Sequence, residues 1–235
     1  MTERAVPEQH HSHRDVTGGW LRPAVFGVMD GLVSNTALIA GVAGGGASRS
    51  TVVLAGLAGL AAGAFSMATG EYVSVASQTE LTRAEIEIEK AEIARVPDAE
   101  EAELAAIYVA RGVDEQTARE VARQLSRDPE TVWRVHAREE LGVDPDDLPS
   151  PWTAAGSSFA AFTCGAAVPL LPYVLGGSGL LLPVVLALLA LFVAGALVSR
   201  WTNRTAVYSG SRQLLLGGAA TAVTYAIGSA VGAGF

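Results

Sequence analysis

Two acidic residues, Asp30 and Glu71, lie in stretches of sequence that are otherwise apolar enough to be embedded in lipid. Asp30 belongs to the apolar run 23–45 and Glu71 to the run 52–76. An ionised carboxylate in hydrocarbon is costly unless a cation or a water-filled cavity accompanies it, so such residues usually mark the path of an ion. We therefore interpret Asp30 and Glu71 as residues of an ion pathway.

Met67 is a third candidate residue for the ion pathway, because it lies in the same predicted hairpin as the two acids. A short turn near residue 48 makes the first two apolar runs antiparallel, and Asp30 and Met67 lie almost equally far along the chain from this turn. At about 1.5 Å per residue they lie at nearly the same depth, and Glu71 lies one turn beyond Met67 on the same face. A site that combines carboxylates with a thioether suits a borderline cation such as Fe²⁺ better than Ca²⁺ or Mg²⁺. The alternative is that Met67 only packs against its neighbours, which is the commoner role of a methionine in a membrane helix.

Three further apolar runs follow, so that the five lie at 23–45, 52–76, 154–175, 180–198 and 214–233. A helix needs about 20 apolar residues to cross the hydrocarbon core of a bilayer. The sequence therefore predicts an all-α membrane protein with five transmembrane helices. Its expected parts are a polar N-terminal tail (1–21), transmembrane helices one and two (22–77), an acidic helical insert (78–149) and transmembrane helices three to five (150–235).

The charge of the chain is concentrated in the insert, residues 78–149. It contains 19 acidic and 9 basic residues, a net charge of −10, whereas the remainder has 5 acidic and 7 basic residues, a net charge of +2. The formal charge of the chain is −8, and we expect no nucleic-acid partner. The polar segment 1–19 does not resemble a cleavable signal, and the single cysteine, Cys164, excludes an intrachain disulfide.

Basic residues predict the orientation in the membrane. Those of the tail and of the loop between the fourth and fifth spans must share one side in a five-span chain: Arg4, Arg14, Arg22, Arg200, Arg204 and Arg212. The opposite side has only Arg49. The positive-inside rule then places the N-terminus and the insert in the cytosol. We expect a multi-pass protein of the plasma (inner) membrane.

Glutamates recur at helical spacing along the insert. Glu85, Glu89 and Glu92 share one helix face, Glu100 and Glu103 share another, and His136 and Glu140 share a third. Pairs of this kind on adjacent helices build multi-carboxylate metal sites in helical bundles. The alternative is that these residues only solvate the helix surfaces, and spacing alone favours it. His10, His11 and His13 of the tail could trap metal weakly, although a disordered tail is the simpler interpretation.

Three segments together resemble the vacuolar iron transporter (VIT) family. They are DGLVSNTALIAGVAGG in the first span, AGLAAGAFSMATGEYVSVASQTE in the second and GAAVPLLPY in the third. The resemblance extends from Arg22 to the end of the chain. It implies a homodimer with five membrane helices per chain, which moves Fe²⁺, and often Mn²⁺, out of the cytosol in exchange for protons. It also implies an ion path at the dimer interface and a cytosolic metal-binding domain formed by the insert and the extended second helix.

The resemblance assigns roles to particular residues. Asp30 takes the place of the pathway acid and Met67 that of the pathway methionine, and the metal-ligating glutamates become Glu89, Glu92, Glu100, Glu103 and Glu140. Two positions depart from the pattern. Gly59 stands where some members carry an acid, whose role Glu71 would then assume, and His136 with Ala137 replaces a methionine pair, so metal preference does not carry over.

Three functional hypotheses follow. The leading one is a proton-coupled divalent-metal transporter, not an enzyme, with no prosthetic group and with Fe²⁺ or Mn²⁺ as the bound and transported ion. Its partners would be metal ions, protons, the lipid bilayer and a second copy of the chain. The alternatives are a membrane-anchored ferritin-like iron-binding oxidase and a scaffold without transport. Both alternatives leave Asp30 and Glu71 without a role.

Overall fold

The computed structural model describes residues 19–234, so the histidine-containing part of the tail lies outside the described residues. Within this range the chain forms eight α-helices and no strand. Five of the helices are long and apolar enough to span a membrane: α1 (Leu21–Gly44), α2 (Arg49–Arg95), α6 (Pro151–Val174), α7 (Leu181–Val198) and α8 (Ala206–Gly234). The other three lie between α2 and α6: α3 (Pro97–Ala110), α4 (Glu115–Leu125) and α5 (Pro129–Glu139). The predicted all-α membrane fold is confirmed.

Helix α1 lies at the centre of the membrane helices and packs mainly on α6 and α8. Glycines permit this close approach, as small residues generally do between membrane helices. A Cβ atom added at Gly31 would collide with the carbonyl oxygen of Phe162 on α6. One added at Gly228 of α8 would collide with the carbonyl oxygen of Gly41. The backbones of α1, α6 and α8 therefore touch directly.

One expectation about the later spans is corrected. Arg212 lies two turns inside α8 and not in the loop before it, because the helix begins at Ala206. Pro183 lies in the first turn of α7, where its missing N–H breaks no helical hydrogen bond, so it does not interrupt the span. Pro169 and Pro172 do lie inside α6, which continues through both as one helix.

Helix α2 is far longer than a membrane crossing requires. Its 47 residues correspond to about 70 Å, more than twice the thickness of a hydrocarbon core. Ser48 begins it as an N-cap that accepts a hydrogen bond from the Thr51 amide. The helix leaves the apolar run and continues into an Ala-, Glu- and Lys-rich segment with high helix propensity. One continuous helix therefore connects the membrane helices with the insert.

The insert helices pack around a small apolar core of their own. Leu104 and Ala105 of α3 pack against Ala122 of α4, with Tyr108 and Val135 at the edge. The N-cap of α4 is Asp114, whose carboxylate accepts a hydrogen bond from the Thr117 amide.

Asp98 lies near the start of α3 but does not cap it. The helix begins one residue earlier, at Pro97, and its N-cap is Val96, which makes no side-chain cap hydrogen bond. Asp98 lies instead in the first turn, where its negative charge interacts favourably with the positive end of the helix dipole.

Replacement of Gly228 by alanine should destabilise the membrane helices. Its methyl group would collide with the α1 backbone, and overpacking of this kind costs about 1–3 kcal/mol. Gly156→Ala on α6 is the matched control, because nothing lies within 4 Å of the added methyl group. Thermal unfolding in detergent should give a lower midpoint for Gly228→Ala only. Equal midpoints for the two variants would contradict the direct α1–α8 contact.

Candidate metal sites

Four side chains from three helices of the insert converge on a buried site, here called the insert cluster: Glu89, Glu100, His136 and Glu140. Nδ1 of His136 lies 2.8 Å from Oε1 of Glu89, 2.7 Å from Oε1 of Glu140 and 3.9 Å from Oε2 of Glu100. The His136 side chain is completely buried, and Glu89 and Glu100 are nearly so. Ligand atoms of Glu89, Glu100 and His136 all lie within 4.8 Å of one another, close enough to share one metal ion.

The hydrogen bonding of this cluster is incomplete without a cation. One imidazole nitrogen carries at most one proton, and it cannot satisfy two carboxylates at once. Neither of the two short contacts of Nδ1, with Glu89 and with Glu140, has the geometry of a hydrogen bond. Both ring nitrogens of His136, Oε1 of Glu89 and Oε1 of Glu140 are consequently buried without a hydrogen-bond partner. Buried polar atoms are rarely left in this state, and a divalent cation among the oxygens and the nitrogen would satisfy them.

Burial also alters the acidity of the cluster. Burial is the main cause of a raised pKa for Glu89, and the neighbouring Glu140 charge adds to the rise against the opposing effect of His136, so that the pKa is about 7 instead of the ordinary 4.5. Burial raises the pKa of Glu140 as well, with His136 again opposing and Glu103 adding to the shift. The Glu89 carboxyl group therefore holds a proton up to near-neutral pH until a cation replaces it.

The other predicted metal ligands lie around the cluster rather than in it. Glu92 is half exposed and pairs with Arg95 at 3.5 Å, although its charge contributes to the raised pKa of Glu89. Glu103 is exposed on α3 and its charge reaches Glu140. Glu85 is exposed one turn before Glu89 on α2 and is not among the converging side chains.

A second set of contacts holds α5 in place beside the cluster. Arg111 at the end of α3 forms an ion pair with the Glu139 carboxylate and donates to the Glu139 carbonyl oxygen at 3.2 Å. The Tyr108 hydroxyl donates to the same carboxylate at 3.3 Å. Since Glu139 precedes Glu140, these bonds fix the C-terminal end of α5, from which His136 and Glu140 project.

Asp30 and Met67 line one cavity between α1 and α2, as the hairpin geometry predicted. We call it the membrane cavity; it has a volume of about 220 Å³, room for several water molecules or a partly hydrated ion. Its lining also includes Ser34, Asn35, Gly59 and Ser66. Asp30 lies on the exposed face of α1, where the cavity opens at the surface of the single chain.

Asn35 is a feature of this cavity that the sequence interpretation missed. Its side chain is 2% exposed, and its amide nitrogen donates to the Ala166 carbonyl oxygen of α6 at 2.7 Å. The amide oxygen, Oδ1, is buried without a hydrogen-bond partner. A polar residue five positions after Asp30 in an apolar run was the only signal available, and it does not reveal which atom is satisfied.

Glu71 lies apart from the membrane cavity and beside the start of α1. Its carboxylate is 3.5 Å from the Arg22 guanidinium, and its side chain is 15% exposed. The predicted position, one turn beyond Met67, is consistent with the continuous α2 helix. The ion pair with Arg22 was not predicted, because the sequence interpretation used Arg22 only to orient the chain in the membrane.

A wider groove adjoins the membrane cavity on the side of α8. It has a volume of about 680 Å³ and is lined mainly by apolar side chains of α1, together with Asp30, Met67 and Arg212. Arg212 and Asp30 thus face the same open space. The groove leaves the carboxylate of Asp30 accessible from the surface of the single chain.

Comparison with known proteins agrees with these features. The model of the VIT family matches residues 21–229, which cover four of the membrane helices, the insert and most of α8. A vacuolar iron transporter of Acanthamoeba castellanii is 39% identical over 230 residues, which cover 95% of this chain and 83% of that protein.

Plant relatives match over similar lengths. Vacuolar iron transporter 1 of Arabidopsis thaliana is 33% identical over 97% of this chain and 93% of the relative. Vacuolar iron transporter 1 of Oryza sativa subsp. japonica is 32% identical over 98% of this chain and 94% of the relative. With a family match over most of its length and relatives that align with nearly the whole of it, the chain belongs to the VIT family.

Proposed function

We propose that the protein exports Fe²⁺, and also Mn²⁺, from the cytosol in exchange for protons. The observation that carries this proposal is the pairing of two cation-binding arrangements along one helix, the insert cluster on the outer part of α2 and the membrane cavity on its apolar part. The names of the relatives, which are vacuolar iron transporters, support iron as the cargo. The oxidase alternative is not favoured, because it gives Asp30 no role.

The direction of transport follows from the positions of the charges. Helices α1 and α8 begin, and α7 ends, at the side from which the insert projects, and this side carries Arg22 and Arg204, whereas Arg49 lies at the opposite side. The positive-inside rule makes the insert side cytosolic. The insert cluster then collects metal from the cytosol, and Asp30 with Met67 passes it across the membrane.

Exchange for protons follows from the chemistry of the same groups. A carboxylate can hold either a metal ion or a proton, and in the insert cluster the two compete near neutral pH because the pKa of Glu89 is raised to about 7. Asp30 provides the corresponding carboxylate in the membrane. Protonation of Asp30 from the far side would release the metal and complete the exchange.

The homodimer is part of the proposal because the single chain leaves the path open. Asp30 faces a cavity and a groove that both reach the surface of the chain. Against lipid, such an opening would expose a carboxylate to hydrocarbon, which is unfavourable. A second copy covering this surface would enclose the path between two protomers.

His136→Ala should weaken metal binding to the full-length protein by at least about tenfold. Removing a side chain that only orients a metal ligand already costs about 10–100-fold in metal affinity. We propose that His136 binds the metal directly, since its Nδ1 lies 2.8 Å from Oε1 of Glu89. Titration of the detergent-solubilised protein with Mn²⁺, followed by calorimetry, measures the change. Glu87→Gln is the matched control, because Glu87 lies two residues from Glu89 with its side chain 71% exposed. A wild-type affinity in His136→Ala would show that the cluster binds no metal.

The metal-free protein should lose stability as the pH rises from about 4.5 to about 7. The raised pKa of Glu89 means that the folded state holds a proton which the unfolded state releases in this interval, so the stability present at low pH is lost. Thermal unfolding with a chelator at a series of pH values measures the effect. Metal affinity should change in the opposite direction, increasing up to pH about 7. If the stability of the wild-type protein did not change over this pH interval, and so matched that of Glu89→Gln, the raised pKa of Glu89 would be contradicted.

Asp30→Asn should abolish Fe²⁺ uptake driven by a pH gradient in proteoliposomes. The amide has nearly the same size as the carboxylate but has no charge and cannot exchange a proton for a metal ion. Cys164→Ser, on the exposed surface of α6, is the control for reconstitution and should transport at the wild-type rate. Transport by Asp30→Asn at the wild-type rate would remove Asp30 from the path.

The same assay distinguishes two roles for Glu71. If Glu71 is a station for the ion, Glu71→Gln should reduce transport while Arg22→Gln, which removes only its partner, should not. Equal losses in both variants would make the ion pair a structural contact and exclude Glu71 from the path.

A further inference from the structure

Asn35 contributes to the membrane cavity an amide oxygen that has no hydrogen-bond partner. It lies on α1 five residues after Asp30 and lines the same cavity as Asp30 and Met67. At 2% exposure it is among the most deeply buried polar side chains of the described residues. Its position is set by the helices on both sides, α2 and α6.

The orientation of its amide is determined by one contact. The Nδ2 atom donates to the carbonyl oxygen of Ala166 at 2.7 Å. A flipped amide would bring two oxygens together at that distance, with no proton between them, so only this orientation is stable. The amide oxygen is therefore held away from α6.

The oxygen faces the α2 side of the cavity at Gly59. A Cβ atom at Gly59 would lie 3.0 Å from Oδ1 of Asn35, and both residues line the cavity. Glycine thus places no side-chain atom against the oxygen on the α2 side. Oδ1 is buried without a hydrogen-bond partner, and an unsatisfied buried amide oxygen is unfavourable.

We propose that Oδ1 of Asn35 is a ligand of the transported divalent cation, together with the Asp30 carboxylate and the Met67 thioether. This inference rests on the proposed function. Amide oxygens bind hard and borderline divalent cations, and this one adds a ligand without adding a second negative charge to the membrane. Because Nδ2 is anchored on α6, the oxygen is already oriented before the ion arrives.

The test is the dependence of transport rate on Fe²⁺ concentration in proteoliposomes, with Fe²⁺ kept reduced. Asn35→Leu removes the oxygen at nearly constant volume and should raise KM at least about tenfold. Asn35→Ala also removes the oxygen, without adding bulk to the cavity, and should raise KM by a similar factor. Thr36→Val is the matched control, since Thr36 is equally buried, lies next in the chain and bonds only to the Leu32 carbonyl oxygen of its own helix; its KM should stay within about twofold of wild type.

Each other outcome overturns the assignment. A KM for Asn35→Leu within about twofold of wild type would mean that the oxygen binds only water. If Asn35→Leu fails to fold, Asn35→Ala decides, and a KM within about twofold of wild type would again exclude a ligand at this position. A wild-type protein that transports no Fe²⁺ would instead refute the proposed function, and this inference with it.

Discussion

The continuity of α2 is the constraint on which the rest of the structure depends. In hydrocarbon every backbone N–H and C=O group must be bonded within the helix, and beyond the apolar run the Ala-, Glu- and Lys-rich segment keeps the chain helical. The result is a single rod of 47 residues. Met67 and Glu89 therefore lie about 33 Å apart on one rigid element. Helix α6 packs against its membrane part and α5 against its outer part.

The two candidate sites differ in the number of charged groups that they contain, because one lies close to water and the other lies in the membrane. Close to water, the insert cluster can collect three glutamates around one histidine, at the expense of a raised pKa for Glu89. In the membrane cavity Asp30 is accompanied by neutral groups, a thioether and an amide oxygen. A second carboxylate there would add a charge to a medium in which each charge is costly. Glu71, which lies nearer the end of the span, has Arg22 beside it.

Neither site could form without contacts made elsewhere. The cluster needs α5 held against α2, and Lys90 over the Trp133 ring at 4.3 Å, together with the bonds of Arg111 to Glu139, provides this. The membrane cavity needs α1 pressed against α6, and the backbone contact at Gly31 allows it. These supporting residues are not among the candidate metal ligands, but they set the distances between those ligands.

The sequence by itself determined the five spans, the helical insert and the common depth of Asp30 and Met67. These features depend on local composition, on the thickness of a bilayer and on the constant rise of a helix, none of which requires a tertiary contact. Only the tertiary structure decided which insert glutamates converge. Helical spacing places Glu85 and Glu89 on one face equally, and the docking of α3 and α5 buries Glu89 but leaves Glu85 exposed. The state of Asn35 was undecided for the same reason, because the carbonyl group that anchors its amide lies 131 residues away in the chain.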